Sequence, residues 1–161
     1  MAFNVLVLCT GNSARSILGE MLFNHLGNGR IKAYSAGSKP GGVVNPVALE
    51  TLQKHGVPCE GARSKSWDEF ALQDAPHIDF IFTVCSNAAN ETCPVWPGHP
   101  TTAHWALPDP AHVEPMAARR TAFEEAYQSL KRRIEAFLAL PLESMERAAI
   151  LAAARSIHEG Y

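Results

Sequence analysis

The segment Cys9-Thr10-Gly11-Asn12-Ser13-Ala14-Arg15-Ser16 joins a thiol to a guanidinium through small residues. Such a Cys-x5-Arg pattern suits anion chemistry. Small residues let successive backbone N–H groups turn inward and cradle a tetrahedral oxyanion. A helix starting near Arg15 adds its positive end, and the planar fork of Arg15 can grip two oxygens at once. The same donors favour a thiolate, so the pKa of Cys9 is expected to fall. A thiolate beneath a bound oxyanion is placed to attack its central atom. The glycine spacing and Gly-Lys-Ser/Thr ending of a nucleotide P-loop are absent here. Ser16 has two readings, a helix cap or a hydroxyl donated to the Cys9 thiolate.

Other chemically capable residues lie further along. Asp109 stands between Pro108 and Pro110, and flanking prolines stiffen and pre-set its loop. Overhanging the cradle, Asp109 would protonate a leaving oxygen as a general acid; otherwise it is an ordinary Asp-Pro turn. Cys85 and Cys93 are eight residues apart. Eight residues of helix span about 12 Å, whereas disulfide-linked Cα atoms lie about 4.4–6.8 Å apart. They can pair only if the segment between them loops or unwinds, which its Ser, Asn and Ala content permits. Thiol relay chemistry, in which one thiol bonds substrate and others resolve and move the disulfide, is one reading of Cys9, Cys85 and Cys93. Small buried hydrophobes are another. Cys85, Cys93, His99 and His104 form a metal-like set, but the cysteine spacing exceeds the two to four residues usual for zinc, so no metal is expected. Cys59 reads as a packing residue, and Trp105 as core.

These residues fall where an alternating fold would gather them. Phe3–Leu8 is a continuous apolar run, the mark of a strand buried on both faces. Ser16–Leu26 shows helical periodicity ended by Gly27 and Gly29. Ile31–Ser35 is a second strand. Pro46–His55 is a helix capped by Asn45 and ended by Gly56. Ser66–Leu72 starts another helix, with Glu69 placed for a capping box. Ile78–Val84 and Thr102–Leu107 are the third and fourth strands. Thr121–Leu138 is an amphipathic helix, with Phe123, Tyr127, Leu130, Ile134, Phe137 and Leu138 on one face. An alanine-rich helix, Glu143–Ile157, follows Pro141. Gly37–Gly42 and Pro94–Pro100 read as loops. Alternation of this kind predicts an α/β fold, a parallel sheet wrapped by helices. Ligands then sit beyond the carboxyl ends of the strands, after Leu8, Ser35, Val84 and Leu107.

Composition bounds the rest. One hundred and sixty-one residues suit a single catalytic domain, with a core of about 3–138 and a helical extension of about 141–158. Hydrophobic residues at 47% and charged residues at 19% argue against disorder. Fourteen basic against sixteen acidic residues leave a formal charge of −2, which gives no support to a nucleic-acid binder. A signal peptide and a membrane span are not expected. Four cysteines are too few for a disulfide scaffold, so a cytoplasmic protein with reduced thiols is expected, and a monomer.

Taken in order, Val-Leu-Cys9-Thr-Gly-Asn-Ser-Ala-Arg15-Ser, Ser35-Ala-Gly-Ser-Lys-Pro40, Cys85-Ser-Asn-Ala, Cys93-Pro and His104-Trp-Ala-Leu-Pro-Asp109-Pro resemble the low-molecular-weight tyrosine phosphatase superfamily. Within it the chain is most similar to the thioredoxin-coupled arsenate reductases. The resemblance implies a four-stranded parallel sheet flanked by helices on both faces, with the last helix as an addition. It implies that Cys9 attacks arsenate, with Asp109 as the acid and Arg15 holding the oxyanion. Cys85 would then attack the Cys9 sulfur and release arsenite, and Cys93 would move the disulfide to Cys85–Cys93 for reduction by thioredoxin. No cofactor is bound in such a scheme; the reductant is an external thiol, thioredoxin or glutaredoxin. Phosphate and sulfate would compete.

The chain also departs from the pattern. Ala14 stands where many relatives carry a second cysteine. Some relatives bind potassium with side chains corresponding to Asn12, Glu20 and Ser35 plus an aspartate; here Lys65 falls at the aspartate's place, and its ammonium is expected to substitute for the cation. Ala111 replaces an aromatic that often grips phosphotyrosine in the phosphatases. Arsenate reduction for arsenic detoxification is thus the leading expectation. Phosphomonoester hydrolysis by Cys9, Arg15 and Asp109 is the alternative, and a thiol-based oxyanion or redox sensor a minor one.

Overall fold

The structure, a computed structural model, describes residues 3–84 and 101–160. Four parallel strands form its sheet: β1 (Phe3–Cys9), β2 (Ile31–Gly37), β3 (Phe80–Thr83) and β4 (Thr101–His104), in the spatial order β2-β1-β3-β4. The helices are α1 (Arg15–Gly27), α2 (Pro46–Lys54), α3 (Met116–Leu138) and α4 (Arg147–Gly160), with 3-10 turns at Trp67–Phe70 and Leu142–Ser144. The expected fold class is therefore the observed one.

Alternation along the central strand divides the core. Val5, Val7 and Cys9 point to one face of β1, where they join α1, α3 and α4 residues including Ile17, Leu18, Phe23, Phe123, Phe137 and Ile150. Leu6 and Leu8 point to the other, where among the described residues they meet Trp67, Phe70, Ile78 and Ile81. The register runs from Phe3 beside Ile31 to Cys9 beside Gly37. That pairing sets the end of β1 against the end of β2, where the chemistry is.

Several elements differ from the sequence reading for local reasons. Ser66–Leu72 forms no α-helix. Ser66 Oγ accepts from the N–H of Asp68 at 3.1 Å, and the Glu69 carboxylate is engaged by Arg63 at 2.7 Å, so no capping box closes. The left-handed residue ending α1 is Asn28, at φ 46°. β2 runs on past Ser35 to Gly37, and β3 is shorter than Ile78–Val84. β4 ends at His104, although Trp105 and Leu107 still donate their N–H groups to the Thr83 and Val84 carbonyls at 2.7 and 3.0 Å. α3 begins five residues before Thr121, because Met116–Arg120 are good helix formers, and these exposed or half-buried side chains leave no apolar stripe.

The C-terminal helix has a defined seat. Trp105, fully buried, donates its indole N–H to the Ala154 carbonyl at 2.8 Å. Arg147 donates to Asp79 at 2.7 Å, and Arg155 to the Thr102 carbonyl at 3.3 Å. α4 thus packs along β4, the edge strand that would otherwise offer open backbone groups.

A second clamp joins α2 to α3. The His55 ring stacks on Tyr127 with centroids 4.0 Å apart, and its Nε2 donates to Glu124 at 2.8 Å. Lys54 and Gln128 donate to the same carboxylate at 3.2 and 2.9 Å. Burial would raise the Glu124 pKa, but the hydrogen bonds from Gln128, His55 and Lys54 outweigh it and bring it from 4.5 to about 2. A depressed folded pKa means stability that is present above 4.5 and lost as the pH falls toward 2. Urea denaturation across that window should show the loss in the wild type. Glu124→Gln should lower stability near neutrality by roughly 1 kcal/mol, the scale of a partly exposed pair, and flatten the acid limb.

Candidate active site

The fully buried run Val5–Leu8 forces β1 to the centre of the sheet, and the chain leaves it at Cys9. Asn12 then adopts the left-handed conformation, φ 46°, which asparagine tolerates better than most residues. The loop's carbonyls are held outward by the next loop. Lys39 N–H donates to Thr10 O at 2.9 Å, Gly41 N–H to Gly11 O at 3.1 Å and Asn45 N–H to Ser13 O at 2.8 Å. In a trans peptide the N–H opposes the C=O, so the amides of Gly11, Asn12 and Ala14 face the other way, into the cradle. α1 starts at Arg15 with Ala14 as its cap and no capping side chain. Its first N–H groups are therefore left for an anion.

Cys9, Thr10, Gly11, Ser13, Ala14, Arg15 and Asp109 line one cavity of about 240 Å³, together with Ala111 and His112. Cys9 is 4% exposed. Arg15 donates through Nη1 to the Leu107 carbonyl at 2.9 Å, which fixes its fork, while its buried Nε has no partner among the described residues. Asp109 Oδ2 lies 3.9 Å from Arg15 Nη2, and Oδ1 accepts from the Ala111 N–H at 2.9 Å. The loop after β4 does overhang the cradle, so Asp109 is in place to meet an oxygen of a bound anion. This arrangement can hold a tetrahedral oxyanion against a thiol, with a carboxyl group at its mouth.

Asn12 and Ser16, fully buried, form the wall behind this cavity. Asn12 Nδ2 donates to Ser16 Oγ at 2.8 Å and to Ser35 Oγ at 3.0 Å, and its Oδ1 accepts from the Lys65 N–H at 2.8 Å. Ser16 lies inside α1 and is not its cap, which removes one of its two readings. Ser35 donates to Glu20, and Lys65 Nζ lies 3.8 Å from the same carboxylate while donating to Arg63 O at 3.0 Å. Burial raises the Glu20 pKa, against the Ser35 hydrogen bond and the Lys65 charge, and burial lowers that of Lys65. The Lys65 ammonium thus sits beside the Glu20 carboxylate that Ser35 also meets.

Two residues of this region carry no role in the sequence reading. Gly37 is one: a Cβ there would lie 2.5 Å from Thr10 O and 2.9 Å from Cys9 O. A glycine closing a strand beside the reactive loop is its sequence signal. The other is exposed His112, whose Nε2 lies 3.9 Å from Asp109 Oδ2, legible only once the loop's turn is known. Cys59 sits apart, its Sγ directed to the Val57 carbonyl and its thiol pKa raised by burial. His104 Nδ1 lies 2.7 Å from Thr83 Oγ1. Cys85, Cys93, His99 and the Pro94–Pro100 loop lie outside the described residues. Val84, which precedes Cys85, donates its N–H to Leu8 O at 3.0 Å, so the chain leaves β3 beside the end of β1.

The family model for low-molecular-weight phosphotyrosine protein phosphatase matches residues 4–149. The chain belongs to this family. An arsenate reductase of Bacillus licheniformis is 34% identical over 132 residues, 81% of this chain and 91% of the relative. Among solved structures, a Corynebacterium glutamicum thioredoxin-dependent arsenate reductase superposes with a TM-score of 0.56 at 25% identity, covering 83% of this chain and 62% of that one. A tyrosine phosphatase of Erwinia amylovora superposes at 0.64 with 26% identity, covering 84% and 90%.

Two outcomes follow from this family member's loop. Gly37→Ala should weaken inorganic phosphate binding, read by calorimetry, by at least about tenfold, because the Cys9 and Thr10 carbonyls must move. Its stability should drop by roughly 1–3 kcal/mol. Phosphate binding to the wild type should not depend on potassium, whereas Lys65→Asp, which sets two carboxylates together, should bind tightly only with potassium present. Indifference to potassium in that variant would show that Lys65 does not stand in for a cation.

Proposed function

We infer that the protein is an arsenate reductase that works through a relay of three cysteines. The observation that carries the reading is the meeting of Cys9, Arg15 and Asp109 on one small cavity. The relatives named arsenate reductase support the choice of substrate. In the first step Arg15 and the loop amides hold arsenate, and the Cys9 thiolate attacks arsenic. An S–As bond forms as an As–O bond breaks, and the departing oxygen takes a proton from Asp109 and leaves as water. Cys85 then attacks the Cys9 sulfur. The S–As bond breaks with its electron pair retained by arsenic, so As(V) leaves as arsenite and a Cys9–Cys85 disulfide remains. Attack by Cys93 on Cys85 frees the Cys9 thiolate and moves the disulfide to Cys85–Cys93.

An external dithiol closes the cycle, for which thioredoxin is the proposed donor in a cytoplasmic setting. The thioredoxin-dependent neighbour supports this. Phosphate and sulfate fit the same cradle and compete. Phosphomonoester hydrolysis would use the same three residues without Cys85 or Cys93. Ala111 on the cavity wall offers only a methyl group for a phosphotyrosine ring, and the exposed His112 is the one flat ring among the described lining residues.

Arsenate-dependent oxidation of reduced thioredoxin tests the relay. Cys85→Ser and Cys93→Ser should each lose multiple turnover while still binding phosphate as the wild type does. Full activity in Cys93→Ser would overturn the three-cysteine scheme, and phosphatase turnover with no arsenate reduction in the wild type would overturn the reading altogether.

A further inference from the structure

Arg133 has no counterpart on its face of α3. It shares the inward side of the helix with Leu130, Ile134 and Phe137 and is 5% exposed. Its Nε and Nη1 atoms are buried without a hydrogen-bond partner among the described residues. Burial, and then the charge of adjacent Arg132, lower its pKa, yet a guanidinium keeps its proton in a protein. A guanidinium buried at two of its nitrogens, with no counter-ion or acceptor among the described residues, is costly unless water or a ligand meets it. A chain that retains one has a use for it, or a ligand.

The structure supplies room for a ligand. A cavity of about 520 Å³ opens between α3 and the segment carrying Asp109. Arg133, Arg132 and Ser129 line one part, and Leu107, Pro110, Val113 and Ala126 give it apolar walls. Two carboxylates border it, Asp109 and exposed Glu125, and neither forms an ion pair with Arg133 or Arg132 among the described residues. The Cys9 cavity shares only Asp109 with this one.

We propose that this cavity is a second anion site, taking a small organic anion whose phosphonate, phosphate or carboxylate group meets Arg133 and whose apolar body lies against Pro110, Val113 and Ala126. Inorganic oxyanions belong to the Cys9 cradle, which is less than half as large. The larger cavity suits an anion with a hydrocarbon part, because apolar walls contribute affinity and few polar groups set orientation. Arg132 adds charge at the rim, and the Ser129 hydroxyl adds a donor. This site stands whether or not the reaction at Cys9 is arsenate reduction.

Phenylphosphonate and benzoate, titrated separately into the full-length isotope-labelled protein, test it by nuclear magnetic resonance. The expected result is a saturable shift of the Arg133 Nε–H and Ser129 amide signals with at least one probe; which one responds distinguishes the phosphonate from the carboxylate headgroup. Binding, followed at Ser129, should weaken by about tenfold or more in Arg133→Met, which keeps the apolar stem and removes the charge. Ala122→Phe, which fills the cavity and leaves Arg133 in place, should do the same. Shifts confined to Gly11–Arg15, shifts at Ser129 that survive both substitutions, or no saturable response to either probe would each overturn the proposal.

Discussion

The side-chain amide of Asn12 holds the architecture of the reactive loop together. It is fully buried in a polar setting, and both ends are used: the NH2 group reaches Ser16 of α1 and Ser35 of β2, and the oxygen accepts from the backbone of Lys65. Three chain segments far apart in sequence are thereby fixed to one left-handed residue. A buried network with all members satisfied specifies a single arrangement, whereas a half-satisfied one penalises it. Glu20 and Lys65 complete the network from behind, so a carboxylate and an ammonium are spent on positioning. The cradle's shape follows: with Asn12 held, the carbonyls of Thr10, Gly11 and Ser13 face the 39–45 loop and the amides have one direction left.

Charge in this protein is local. A formal charge of −2 over 161 residues says little about anion binding. What counts is that dipoles and one arginine act inside a small cavity, where water does not screen them fully. A tight pair between Asp109 and Arg15 would consume the fork. At 3.9 Å it is a loose pair, and Arg15 is oriented instead by the neutral Leu107 carbonyl. Asp109 is also 41% exposed at its side chain. The Asp109 carboxylate thus leaves most of the Arg15 fork open to the cavity.

The candidate site residues can be picked out in the sequence because their signals are local. Cys9 and Arg15 are fixed by a buried strand followed at once by a helix, and Asp109 by two prolines after a strand. Asn45 capping α2 is likewise visible in four residues. What stayed illegible depends on encounters between distant segments. Glu69 had the spacing of a capping box but found Arg63. Gly37 matters only because β2 pairs with β1 in a register that sets it against the Thr10 carbonyl. The seat of α4 rests on one indole N–H, from a tryptophan that sequence could place in the core without naming its partner. Arg133 repeats the lesson: helical periodicity marks its face as apolar, and periodicity counts neighbours without asking where a charge would go.

Topology bears on the proposed relay through the place where β3 ends. β3 is four residues long and runs beside β1 from Phe80 at Val5 to Thr83 at Leu8. Val84 is buried and bonded to Leu8, so the chain departs toward Cys85 from a fixed point next to Cys9. The proposed relay needs a second thiol near the nucleophile, and β3 ends beside the strand that carries Cys9.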